Sequence, residues 1–324
     1  MPLDPKARRA MKLSPLREHE PGVALGKGRI AVLTEDALVV RDTTKFEEVA
    51  RVSVHGAQRL TTLSDGSFVA ADSVHTAWLL PYDTRARAYA HVVMLPDSTW
   101  FADRETPNVF WVLSRRGATL YEYVLSSSAA ALGLLVTKEW ISLDGFDGRV
   151  FGSLRDGSFI YSTASGFSRF DGPLGKNAVE GDAREAFRVL PGSRVDTLWL
   201  VTKDGATLHR LLFGKLVKLR SVAFSAMSFD VDADGEYLAV LELREPGDRA
   251  WSFELEVFDV EGKRRVHEPL RADESLDPDG WVRALMRNRH LSIADGPTPL
   301  VAVGGPENLS VWRADDGTRV LPVR

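Results

Sequence analysis

Phe110-Trp111-Val112-Leu113-Ser114-Arg115-Arg116-Gly117-Ala118-Thr119-Leu120 and Leu198-Trp199-Leu200-Val201-Thr202-Lys203-Asp204-Gly205-Ala206-Thr207-Leu208 are two copies of one phrase, 88 positions apart. Each is an apolar run around a tryptophan, then three polar residues, then Gly-Ala-Thr-Leu. A second phrase keeps the same step. Tyr82-Asp83, Phe170-Asp171 and Phe258-Asp259 each close a run with strand character, and they too lie 88 apart. Arg41-Asp42 precedes the first by 41 positions. Half of 88 is 44, enough chain for four short strands and their turns. A unit of that size cannot bury both faces of its own sheet, so copies must stack. The expected fold is all-β: a β-propeller of four-stranded antiparallel blades. Dividing 324 residues by 44 gives about 7.4, which predicts seven blades and a short arm.

The arm is assigned to residues 1–20, where Pro2, Pro5 and Pro15 interrupt mixed charge without alternation. It either frays or adds a strand to the last blade. Residues 21–324 are expected to form a single propeller domain. Its punctuation is Asp-Gly at 65–66, 156–157 and 234–235, between strand-like runs. Glycine tolerates the positive φ of tight hairpin turns, and aspartate supports the turn locally. Residues 172–182 are rich in glycine and polar residues and read poorly as strand.

Composition narrows the function classes. Hydrophobic residues make up 44% and charged residues 27%, as in a soluble globular protein. A net charge of −4 gives no basic footprint for displacing counterions, so no nucleic-acid partner is expected. The chain has no cysteine, which removes disulfides, thiolate metal sites and cysteine nucleophiles. Lys6, Arg8, Arg9 and Lys12 are not followed by an apolar stretch, so no secretory signal or membrane association is expected. These features fit a cytoplasmic protein, and the Ala- and Arg-rich composition suggests a bacterial source.

Phe229-Asp230-Val231-Asp232-Ala233-Asp234-Gly235-Glu236-Tyr237-Leu238-Ala239-Val240 resembles the first hairpin of a WD-repeat blade. Leu309-Ser310-Val311-Trp312-Arg313-Ala314-Asp315-Asp316-Gly317-Thr318-Arg319-Val320 resembles a closing hairpin, and Val257-Phe258-Asp259-Val260-Glu261-Gly262-Lys263 is similar. The resemblance covers roughly residues 22–324. The chain departs from the family pattern in two ways: the usual Gly-His pair is replaced by the reversed His55-Gly56, and Trp-Asp never occurs. The resemblance implies a divergent WD-repeat-like propeller, and with it a scaffold that holds partners on a ring of loops.

Local chemistry is sparse. Asp230, Asp232 and Asp234 followed by Gly235 match the opening of a calcium loop. Position twelve of that loop would be Leu241, where calcium needs a glutamate, so the competing reading is a hairpin turn with solvated carboxylates. Gly26-Lys27-Gly28 and Gly172-Pro173-Leu174-Gly175-Lys176 lack the helix or the hydroxyl residue that a phosphate loop needs. The seven histidines form no metal-ligand spacing. No cofactor is expected. The tryptophans read as packing between blades, Trp111 and Trp199 most clearly, because they are equivalent by repeat.

In a propeller, loops joining second and third strands share a face with loops joining consecutive blades. That face would gather His75, Arg115, Arg116, Lys203, Arg249 and Trp281, a partly basic surface with one aromatic anchor. The sequence thus predicts a non-catalytic protein–protein interaction scaffold, a subunit of a larger assembly docking one or more proteins there. The alternative is an enzyme or a ligand or metal sensor whose site lies at the central channel, as in propeller lactonases and lyases.

Overall fold

A computed structural model describes residues 22–322, except 73–75, 83–89, 94–97, 103–108, 115–118, 127–132, 141–145, 155, 157, 164–165, 171–175, 180–185, 187, 225–227, 245–251, 271–290, 295 and 305–308. The described residues form 28 strands in seven four-stranded antiparallel sheets. The first sheet is β1 (Val23–Gly26), β2 (Arg29–Leu33), β3 (Ala37–Asp42) and β4 (Glu48–Ser53). The second is β5 (Arg59–Thr62), β6 (Phe68–Ala71), β7 (Thr76–Leu80) and β8 (Ala90–Val93). The third is β9 (Ser98–Ala102), β10 (Val109–Ser114), β11 (Thr119–Ser126) and β12 (Gly133–Trp140). The fourth is β13 (Phe146–Ser153), β14 (Phe159–Thr163), β15 (Gly166–Phe170) and β16 (Lys176–Val179). The fifth is β17 (Arg188–Pro191), β18 (Thr197–Thr202), β19 (Gly205–Leu212) and β20 (Lys215–Ala223). The sixth is β21 (Ser228–Asp234), β22 (Tyr237–Arg244), β23 (Ser252–Asp259) and β24 (Arg264–Leu270). The seventh is β25 (Leu291–Ala294), β26 (Leu300–Val303), β27 (Ser310–Arg313) and β28 (Arg319–Pro322). Each sheet pairs its strands in chain order, so each is one sequence-local meander. The poorly strand-like stretch 172–182 nonetheless contributes β16, whose pairing to β15 carries it.

The core is divided among the gaps between sheets. Leu38 and Val40 pack on Leu60 and Phe68, joining sheets one and two. Val69 and Leu79 meet Phe110 and Val112; Trp111 and Leu113 meet Phe159 and Tyr161. Ile160 and Phe167 meet Leu198 and Leu200; Trp199 and Val201 meet Leu238 and Val240. Ala239 and Leu241 meet Val301 and Trp312. Leu300 and Val311 then pack on Ile30 and Val32, returning to the first sheet. The cycle of contacts is closed, and the fold is an all-β propeller. The second strands are buried on both faces: Leu198 and Leu200 point one way, Trp199 and Val201 the other. That is why they read as continuous apolar runs rather than alternating ones.

Of the recurring aspartates, Asp83 and Asp171 lie outside the described residues, and Asp42 and Asp259 close outer hairpins. Asp42 Oδ1 accepts the amides of Thr44 and Lys45, and its Oδ2 accepts that of Glu47. Asp259 Oδ1 accepts the amides of Glu261 and Lys263, and its Oδ2 accepts Arg265 Nε. In these two turns from third to fourth strand the inward amides need an acceptor, and a carboxylate supplies it. A further pattern sits in the Asp-Gly-Ser turns. Asp65 and Asp156 each accept both the amide and the hydroxyl of the serine two positions on.

Ring closure joins sheets seven and one through packing and through the Leu25 amide, which donates to Ser292 Oγ at 2.9 Å. The last sheet takes all four of its described strands from the C-terminal part of the chain. Residues 1–20, assigned to the arm, lie outside the described residues.

Candidate functional site

Of the six residues predicted to form the docking face, His75, Arg115, Arg116, Arg249 and Trp281 lie outside the described residues. Lys203 is exposed in the turn between β18 and β19, the kind of loop expected to face that way.

Asp230, Asp232 and Asp234 lie along β21, not in an open loop. The register pairs them with Leu241, Ala239 and Tyr237, and the turn begins only at Asp234-Gly235. Val231 and Ala233 point into the core shared with the fifth sheet. The carboxylates are occupied by neighbouring sheets. Arg188 of β17 donates from Nη1 to Val231 O at 2.7 Å and reaches Asp230 Oδ1 at 3.4 Å. Asp232 Oδ2 accepts the Ile293 amide of β25 at 3.0 Å. With Ser292 and Leu25, these contacts string the innermost strands of the fifth, sixth, seventh and first sheets together. Asp230 is buried, and Asp232 is surrounded by protein while keeping some accessible surface. Burial pushes the Asp232 carboxyl up to about 7, helped by the like charges of Asp230 and Asp234 and opposed by Arg188 and the Ile293 amide. Solvated turn carboxylates are therefore not what this strand holds. Among the described residues, no three His, Asp or Glu side chains are gathered so that they could hold a metal ion.

The other unusual region is the outer rim of the fifth sheet. β19 and β20 are joined by Phe213-Gly214, closed by the pair Leu212↔Lys215. Both turn residues have positive φ, 49° and 80°, as a type I′ hairpin turn requires. Phenylalanine is a poor choice there, because a Cβ in the left-handed region crowds the backbone. Its ring gains nothing from the fold in return: Phe213 is 103% exposed. Val217 and Leu219 on β20 are exposed as well, and so is Val195. Val195 belongs to the turn between β17 and β18, which lies at the same end of the sheet. The pair Thr197↔Arg210 and a bond from the Leu211 amide to Asp196 O hold it against the β19–β20 hairpin. Four of the seven large apolar side chains that are exposed among the described residues thus sit on this one sheet. Cations surround them. Arg194, Lys215, Lys218 and Arg220 are exposed, and residues 205–223 contain no aspartate or glutamate. Asp196, the nearby acid, is taken by Arg210 Nε.

β20 is also the longest described strand, at nine residues, and its outer edge carries no further strand. The outermost strands differ in their bulges: β8 and β16 pair without a register shift, and β12 skips Thr137 only after four pairs. In the first, sixth and seventh sheets, one residue is skipped directly after the pair that closes the hairpin: Val49, Arg265 and Val320. Such bulges twist an edge away from foreign strands. In β20 four pairs, Lys215 to Lys218, come first, and the skipped residue is Leu219. The sequence-based reading missed this surface. Its available signals were the Phe-Gly pair between two apolar runs and the all-cationic charge of residues 205–223.

No protein-family model matches the chain, and no curated protein matches it in sequence. Solved structures do. Hsv2 from Kluyveromyces marxianus superposes with a TM-score of 0.57 at 12% identity, over 88% of this chain and 89% of that one. Hsv2 from Kluyveromyces lactis gives 0.54 at 13% identity, over 92% and 95%. Sqt1 from Chaetomium thermophilum, solved bound to the N-terminus of ribosomal protein L10, gives 0.52 at 14% identity, over 95% and 88%. At such identities the likeness concerns the fold: this chain is folded as a divergent, WD-repeat-like β-propeller.

Proposed function

We propose that this protein is an interaction module, a rigid ring that docks a protein partner through the outer rim of its fifth sheet. The observation that carries the reading is the cluster of Val195, Phe213, Val217 and Leu219 among Arg194, Lys215, Lys218 and Arg220. Interfaces are built on apolar anchors, aromatic ones above all, with arginine beside them. A left-handed, fully exposed phenylalanine adds nothing to folding, which favours a role outside the chain. Sqt1, which holds the N-terminus of a ribosomal protein, offers a precedent for a propeller engaging a protein segment. The face predicted to gather His75, Arg115, Arg116, Lys203, Arg249 and Trp281 is the second docking surface we propose. Two such surfaces suit a subunit of a larger assembly. The test is capture with the full chain and with a Phe213→Asp, Leu219→Glu variant of unchanged melting temperature. A stoichiometric partner retained by the first and lost by the second supports the reading. A partner held equally by both removes the fifth-sheet rim from it.

A second reading places a ligand or proton-handling site at the central channel. Asp232 favours it, since a carboxyl held near 7 on an innermost strand is the kind of group that functional sites use. A ligand that binds only the folded state raises its stability. A thermal-shift screen of metal ions and small acids, repeated on Asp232→Asn, tests this: a shift abolished by the substitution would favour the channel over the rim.

A further inference from the structure

We infer that the β19–β20 edge takes an extended peptide in which apolar and acidic side chains alternate; this deepens the docking reading above and rests on it. Three observations converge. The first is shape. From Phe213 to Leu219 the apolar side chains run along six residue steps, about 20 Å at roughly 3.4 Å per residue. That is a strip the length of a short extended chain. A flat bilayer could meet its tip, Phe213 and Val195, but would leave Val217 and Leu219 uncovered. The second is the backbone. Because four regular pairs precede the bulge, β20 keeps an ordered edge beside the hairpin, as β12 does, whereas the first, sixth and seventh sheets are interrupted after one pair; in β20 that edge adjoins the exposed apolar cluster. An ordered edge offers alternating amides and carbonyls to an added strand, and side chains of the added strand then supply the selectivity. The third is charge. Lys218 stands exposed on the strand, Arg220 beside it donates to Glu261 O, and no residue between 205 and 223 is acidic, so an incoming chain that carries carboxylates matches the sign of this edge.

The experiment selects displayed ten-residue peptides on the intact protein, then measures the enriched peptides against Val217→Glu and Lys218→Glu. Both positions are exposed, and Lys218→Ala serves if either charged variant melts early. The expected result is enrichment of peptides mixing Asp or Glu with large apolar residues. Their affinity should fall at least tenfold in both variants and weaken as salt is raised. Methylation of alternate amides in the peptide should abolish binding as well. Enriched peptides that are basic or uncharged but still need Val217 would overturn the acidic partner while leaving the docking reading intact. Peptides indifferent to both substitutions, or no enrichment, would overturn the site itself. Co-flotation with phosphatidylserine vesicles that depends on Phe213, without peptide binding, would overturn the inference in favour of a lipid surface.

Discussion

Replacing Phe213 by asparagine should make the protein more stable while weakening its docking. Phe213 holds φ at 49° and Gly214 at 80°, the geometry of a type I′ turn. An ordinary residue in the left-handed region costs about 1–2 kcal/mol. Asparagine recovers part of this, because its short side chain bonds locally, and Asn-Gly is the preferred pair for this turn. The loss on the other side is nil, since the ring of Phe213 is 103% exposed and buries nothing. The net gain is therefore about 0.5–1 kcal/mol. In a chain of this size that raises the melting temperature by only about 1–3 °C, so the urea midpoint at unchanged slope is the better readout. Peptide affinity, measured on the same preparation, should fall. A lower urea midpoint for Phe213→Asn would refute the reasoning, because it would mean that the ring packs against the folded chain.

Other outcomes follow from the same geometry. Asp259→Ala should cost about 2–4 kcal/mol, since it strips acceptors from two turn amides and from Arg265 at a site where the carboxylate is nearly buried. Asp42→Ala, at a solvent-exposed copy of the same turn, should cost less in the same denaturation assay, and equal losses would contradict the burial argument. Gly152→Ala should lower the melting temperature sharply, because an added Cβ would lie 2.0 Å from the Val189 carbonyl oxygen of the neighbouring innermost strand; a neutral effect would mean that β13 and β17 are farther apart. Asp232→Asn tests the buried carboxyl. Its folded value near 7 lies above the unfolded 3.8, so the contribution of Asp232 to stability is complete below about pH 4 and is lost as pH rises through 7. Asparagine keeps an acceptor for the Ile293 amide and does not ionise. The variant should therefore gain on the wild type in melting temperature between pH 4 and pH 7, and parallel pH profiles would sink the assignment.

The propeller was legible because its construction is periodic. The aspartates at 42 and 259 recur since each supplies the acceptor for the amides of its own outer turn, and Trp111 and Trp199 recur since each fills a gap between sheets. Both tryptophans are buried, as their repeat position implied. What the sequence hid depends on pairing between distant residues. Asp230-Val231-Asp232-Ala233-Asp234-Gly235 reads as a turn with free carboxylates, and only the approach of Arg188 and Ile293 from neighbouring sheets turns it into a buried strand. The rim of the fifth sheet was hidden for another reason. Lys215-Leu216-Val217-Lys218-Leu219 looks like any amphipathic strand, and its exposed face is recognised only once β20 is seen to be outermost and its bulge displaced to Leu219. The docking residues predicted from sequence rest on loop charge and one aromatic anchor, and five of the six lie outside the described residues.

The central claim is that partners meet this propeller at the fifth-sheet rim. Site-specific photo-crosslinking in the native cell tests it most directly, with benzoylphenylalanine placed in turn at positions 213, 219 and 203. The account predicts one discrete protein adduct formed from positions 213 and 219. Adducts formed only from position 203, or none from the rim, would contradict it.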